Sequence, residues 1–220
     1  MPFRKRWCWL GAFGPGEMLC VAWAEVGVAR VSWWAVWDGL RLQEGYRRSW
    51  RGVRVDARGA RVDGVLSLRL TRGRPIEART GDTWTRKTPV SAEGFVRERP
   101  FAAEGVLDES AGRHPRHTSW LWSAGVGPGV AWNFCDGLHD GENTVWAGGE
   151  PHLVDVPEFD GLAGVGGLRF EAQATRARKE DLVLIASDYE QPFGTFTGSL
   201  PVAGSLPLGW GVMERHEARW

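Results

Sequence analysis

Apolar and polar residues alternate along much of this chain. Leu66, Leu68 and Leu70 are separated by Ser67 and Arg69, and Val53 and Val55 by Arg54, which is the period-two pattern of half-buried strands. Trp120 and Trp122 share one face of a segment. Val130, Trp132 and Phe134 share a face of the next, after the tight loop Gly125 to Gly129. Further on, Trp210, Val212, Glu214 and His216 fall on one side of a strand. Met18 to Ala24 and Val31 to Trp37 are continuous apolar runs, the second ended by Asp38-Gly39, a hairpin signal. Glu171 to Asp181 is rich in helix formers, yet Leu168, Phe170, Ala172 and Ala174 alternate, so a strand or hairpin is predicted there. The 30 glycines and 12 prolines recur every few residues and divide the chain into short segments. At about 5–6 residues per strand, roughly 16 to 18 strands are expected, too many for one small barrel and enough for two packed β units. Arginine-rich alternation gives way to tryptophan- and histidine-rich strands near residue 100, so the expected halves are 1–98 and 99–220.

Charge narrows the partners. The chain has 27 basic and 27 acidic side chains and a formal net charge of zero, with no basic excess to neutralise nucleic-acid phosphates. Only Lys5, Lys87 and Lys179 are lysines; the other basic residues are arginines interleaved with acids, as on a paired, solvated surface. Cys8, Cys20 and Cys135 are widely spaced and suggest neither a disulfide framework nor a zinc site. The basic start followed by Trp7 to Phe13 has the outline of a signal peptide but too short an apolar core, so a first strand is expected, in a cytoplasmic protein. No window approaches the ~18 apolar residues of a spanning helix.

The chemically dense stretch is Asp108 to Trp122. His114-x-x-His117, completed by His139 and Asp140, has the donors of a metal site, but Pro115 argues against a helix that puts both imidazoles on one face, and no metal is assigned. Proton transfer is the alternative: Asp108 or Glu109 paired with His114 or His117, in a tryptophan-lined pocket that pushes their pKa values apart. The structural reading of the same residues is a hydrogen-bonded corner joining the halves. Glu214 and His216 point to one side and either meet this region or lie on the surface. Trp84-Thr85-Arg86-Lys87 offers a cation–π clasp or a grip on an acidic ligand. No Gly-x-Ser-x-Gly or phosphate-binding loop occurs.

Trp84-Thr85-Arg86-Lys87, Arg116-His117-Thr118-Ser119-Trp120-Leu121-Trp122-Ser123-Ala124-Gly125-Val126-Gly127, Ala131-Trp132-Asn133, Gln191 to Gly198 and Gly211 to Trp220 together resemble the bacterial family catalogued as domain of unknown function 2804. That family is distantly similar to tandem lipocalin-like proteins that include carotenoid hydratases, tocopherol cyclase and fungal polyketide cyclases. The resemblance implies an all-β fold of two lipocalin-like antiparallel halves, barrels or sandwiches, packed together. It makes Asp108-Glu109 the nearest equivalent of the acidic motif opening the second barrel, although Ser110-Ala111 stands where a tryptophan usually follows. The expected partner is a hydrophobic or amphipathic small molecule, with no cofactor. Trp84, Arg86, Lys87, Arg116, Trp120, Trp122, Asn133, His139, Glu214 and His216 are the candidate ligand contacts. The competing expectations are a cofactor-independent hydratase, cyclase or isomerase, and a structural protein whose tryptophans fill its own core.

Overall fold

A computed structural model describes residues 3–137, 141–182 and 185–219, and among these residues there is no helix. The first sheet comprises β1 (Phe3–Gly14), β2 (Glu17–Val26), β3 (Ala29–Trp37), β4 (Leu42–Arg47), β5 (Val53–Asp56), β6 (Gly59–Val62), β7 (Leu66–Arg72), β8 (Ile76–Thr80), β9 (Thr83–Val96) and β10 (Arg99–His114). The second comprises β11 (His117–Gly127), β12 (Val130–Asp136), β13 (Thr144–Ala147), β14 (Glu150–Leu153), β15 (Phe159–Asp160), β16 (Gly164–Val165), β17 (Leu168–Leu182), β18 (Ile185–Leu200) and β19 (Gly204–Arg219). Strand pairings among the described residues are antiparallel, in the orders β4-β3-β2-β1-β10-β9-β7-β6-β5, with β8 also on β9, and β14-β13-β12-β11-β19-β18-β17-β16-β15. The chain passes between the sheets at Pro115-Arg116, and residues 98 and 99 lie at the β9–β10 turn of the first sheet.

Each sheet curls into a half-barrel. In the first, the Trp23 indole donates to the Val55 carbonyl at 3.0 Å, tying β2 to β5 across the curl. Inside lie Leu10, Leu19, Val55, Leu68 and Leu107, and the alternation of Leu66, Leu68 and Leu70 with wet Ser67 and Arg69 is that of a strand with one face on this core. The second half-barrel closes over Trp132, Phe134, Phe170, Phe196 and Met213. The segment 171–181 belongs to a long strand, β17, despite its helix-forming residues. Its sheet neighbours decide the matter, because strand preference is set by packing more than by the isolated residue.

The outer faces of the two half-barrels meet back to back. Trp9, Phe13, Met18 and Val106 from the first sheet pack against Trp122, Trp146, Phe193 and Val212 from the second. The central strands are thus covered on both faces: along β1, Cys8, Leu10 and Ala12 enter the first barrel while Trp9 and Phe13 enter the interface. Gly11 lies between those two rings on the interface side, where a Cβ would collide with both. The Asp38-Gly39 turn departs from a two-residue hairpin. It is a four-residue connection in which the Asp38 carboxylate accepts the N–H groups of Leu40 (3.1 Å) and Arg41 (2.9 Å), a local bond that holds the loop open. The three cysteines are free and buried, and no helix is long and apolar enough to cross a membrane among the described residues.

Candidate functional site

Toward one end of the interface the two sheets part around a cavity of about 850 Å³. Its wall follows from strand parity. On β1, Lys5, Trp7 and Trp9 alternate with side chains of the barrel interior; on β10, Asp108 and His114 do the same; on β11, Thr118, Trp120 and Trp122; on β19, Glu214 and His216. Among the described residues six indoles line the space, those of Trp7, Trp9, Trp33, Trp50, Trp120 and Trp122. At the floor, Trp9 and Trp122 meet edge to face with centroids 4.8 Å apart, one from each sheet, and close the cavity off from the interface core.

Two polar groups occupy the deep wall. Lys87, 3% exposed, sits with its Nζ 2.7 Å from Asp108 Oδ1 and 3.1 Å from Glu142 Oε2, so one buried cation answers a carboxylate from each sheet. Burial opposes the Lys87 charge, but the Asp108 and Glu142 carboxylates outweigh it and push its pKa up, keeping the ammonium protonated. Burial also raises Asp108, and Lys87 offsets that only in part.

The second group is Glu214, 7% exposed. Its Oε1 accepts the Trp120 indole N–H at 2.8 Å and its Oε2 the Gln191 amide at 2.7 Å. Burial nevertheless raises its pKa to about 7, with Asp108 adding to the rise and the two hydrogen bonds opposing it. His216, next on the same face, is held neutral: burial, then Lys5 and Arg176, lower its pKa to about 3. Its Nε2 is 2.9 Å from Ser187 Oγ, and its ring stands edge-on to Trp120 at 4.4 Å. Lys5, also in the wall, is lowered to about 8 by burial. A neighbouring carboxylate and imidazole therefore have pKa values separated by the same dry surroundings, the first near neutrality and able to give or take a proton.

Of the residues singled out from the sequence, Lys87, Asp108, His114, Trp120, Trp122, Glu214 and His216 line this one cavity. The others stand apart from its wall. Glu109 is adjacent to Asp108 and so projects to the opposite face of β10, where it lies 3.6 Å from Arg86. His117 is exposed and pairs with Glu217 at 3.0 Å. Trp84 and Arg86 form the clasp, both bound to Glu77 (3.2 and 2.8 Å), with the guanidinium 5.0 Å from the indole centroid. Arg116 is exposed at the crossover. Asn133 is buried behind the wall, where it accepts the Trp122 indole N–H at 2.9 Å and donates to the Glu142 carbonyl, and so positions Trp122. His139, with Asp140 and Trp220, lies outside the described residues. Sequence reasoning missed Lys5, Trp9, Glu142, Arg176 and Gln191. Lys5 and Trp9 share their parity with Trp7, a usable signal, whereas Glu142 comes from the β12–β13 connection, which has no period.

No protein-family profile matches the chain, and no curated protein matches it in sequence. Solved structures do match in fold. A protein from Nitrosomonas europaea provisionally named AttH aligns over 97% of this chain and 92% of its own, with a TM-score of 0.53 and 12% identity. CghA, solved with Sch210972, aligns over 99% of this chain and 88% of its own, with a TM-score of 0.54 and 8% identity. The architecture of two back-to-back, curled antiparallel half-barrels is that of the tandem lipocalin-like proteins.

Proposed function

We propose that the chain binds a hydrophobic or amphipathic small molecule in the cavity between its half-barrels. The observation that carries this reading is the cavity itself: about 850 Å³, walled by six indoles, with its polar groups concentrated at particular points. It counts against a core filled by its own tryptophans. Three free thiols fit a reducing, cytoplasmic setting, and the motif resemblance to domain of unknown function 2804 forms part of the same reading. The test is a titration of the purified protein with apolar and amphipathic compounds, followed by tryptophan fluorescence and native mass spectrometry. Saturable one-to-one binding, abolished by Ala24→Trp at the wall, is the expected result; no ligand across such a set would end the proposal.

A second reading, acid–base chemistry on the bound molecule without a cofactor, is favoured by one observation, the Glu214 carboxyl facing the cavity with a pKa of about 7. In this reading Glu214 moves the proton, the Lys87–Asp108 pair supplies fixed charge beside it, and neutral His216 shapes the wall. Turnover of a bound compound that is lost in Glu214→Gln while its binding persists would support it.

A further inference from the structure

The charged groups of the cavity are unevenly distributed. Among the described residues its outer wall carries five guanidinium groups, Arg6, Arg30, Arg48, Arg51 and Arg178, against two carboxylates, Glu25 and Glu180. Each carboxylate is shared between two arginines: Glu25 lies 3.0 Å from Arg6 and 3.1 Å from Arg30, and Glu180 lies 3.4 Å from Arg48 and 2.8 Å from Arg178. Arg51, exposed on the β4–β5 connection, forms no ion pair among the described residues. The mouth is therefore electropositive in a chain whose charges cancel overall. Inward the charges come closer to balance: Lys87 is answered by Asp108 and Glu142, Arg176 by Glu44 at 3.2 Å, and Lys5, a further cation of the wall, shares the cavity with the Glu214 carboxyl.

A ligand that itself brings a positive charge would leave the guanidinium groups of the mouth unanswered. One that brings acceptor oxygens and a negative charge answers them.

Building on the small-molecule reading, we infer that the ligand is an acidic amphiphile, an organic anion whose head group sits among the mouth arginines while its apolar body extends toward the Trp9–Trp122 floor. The test compares three probes of one chain length, decanoate, 1-decanol and decylammonium, by calorimetric or fluorescence titration. Decanoate is expected to bind about fivefold more tightly than 1-decanol at low salt, the scale of a partly solvated charge contact, with decylammonium weakest. The advantage should shrink in 0.5 M salt, roughly where screening shortens to a few ångströms. Arg48→Gln combined with Arg51→Gln, both exposed and checked for native circular dichroism, should narrow the gap between decanoate and 1-decanol. Equal affinities for the three probes, or an unchanged gap in the double variant, would overturn the inference and leave the binding reading standing. Binding of none of them would count against the binding reading itself.

Discussion

Glu214 and His216 make opposite demands on pH, and replacing one exposes the other. The folded protein holds the Glu214 proton up to about pH 7, whereas the unfolded chain releases it near 4.5. Its contribution to stability is therefore complete below pH 4.5 and is lost as the pH rises to 7, by about 1.4 kcal/mol per pH unit and about 3 kcal/mol in all. His216 behaves in reverse. The unfolded chain takes up its proton near pH 6.5, but the folded protein resists until about pH 3, so its contribution is complete above 6.5 and is lost as the pH falls. Between pH 4.5 and 6.5 the two slopes cancel. Glu214→Gln keeps the shape of the side chain: its carbonyl still accepts from Trp120, and its amide donates to Gln191 Oε1, which is buried without a partner among the described residues of the wild type, once that amide turns over. Relative to wild type, the variant is expected to gain about 2 kcal/mol as pH rises from 4.5 to 6.5. Urea unfolding at pH 4.5, 5.5, 6.5 and 7.5, extrapolated linearly, measures this directly. The other ionisable groups drop out of the difference to the extent that they do not touch Glu214. A wild-type-to-variant difference that stays constant across the series would refute the burial argument for Glu214.

Three further outcomes follow from the packing. Lys87→Met leaves the Asp108 and Glu142 carboxylates together without a cation, and should cost about 3–5 kcal/mol, while adding Asp108→Asn to it should recover part of that loss in thermal unfolding. Gly11→Val places methyl groups against the Trp9 and Phe13 rings at the sheet interface and should cost about 1–3 kcal/mol in urea unfolding. Asn133→Leu removes the acceptor of the Trp122 indole and should weaken ligand binding as well as stability, by about 1–3 kcal/mol for the latter, because the buried N–H is left unanswered.

The strands were legible because this chain punctuates them with glycine and proline and because strands away from the sheet–sheet interface, such as β7, keep one wet face. The central strands were harder to read. Both of their faces are covered, one by a barrel interior and one by the opposite sheet, so Leu10 and Trp9 are equally apolar and apolarity by itself does not say which faces the cavity. The same period of two separates Asp108 from Glu109, residues that look like a pair when read in line. Lys87 and Asp108 were both recognisable as candidates, yet their union depends on the Lys87–Asp108 register of β9 on β10. Their third partner, Glu142, arrives from the other sheet by tertiary packing alone.

The back-to-back arrangement also has a consequence in time. The ladder from β1 to β10 is complete once His114 is made, whereas Glu214 and His216 lie on β19, about a hundred residues later. At about 5–20 residues per second, the ribosome needs roughly 5–20 s to cover that distance. For that interval the first half-barrel can already be folded with Trp9, Phe13, Met18 and Val106 turned to solvent. The face that later becomes the inter-sheet interface is thus, during synthesis, an exposed apolar surface that a chaperone must shield or that neighbouring nascent chains can seize.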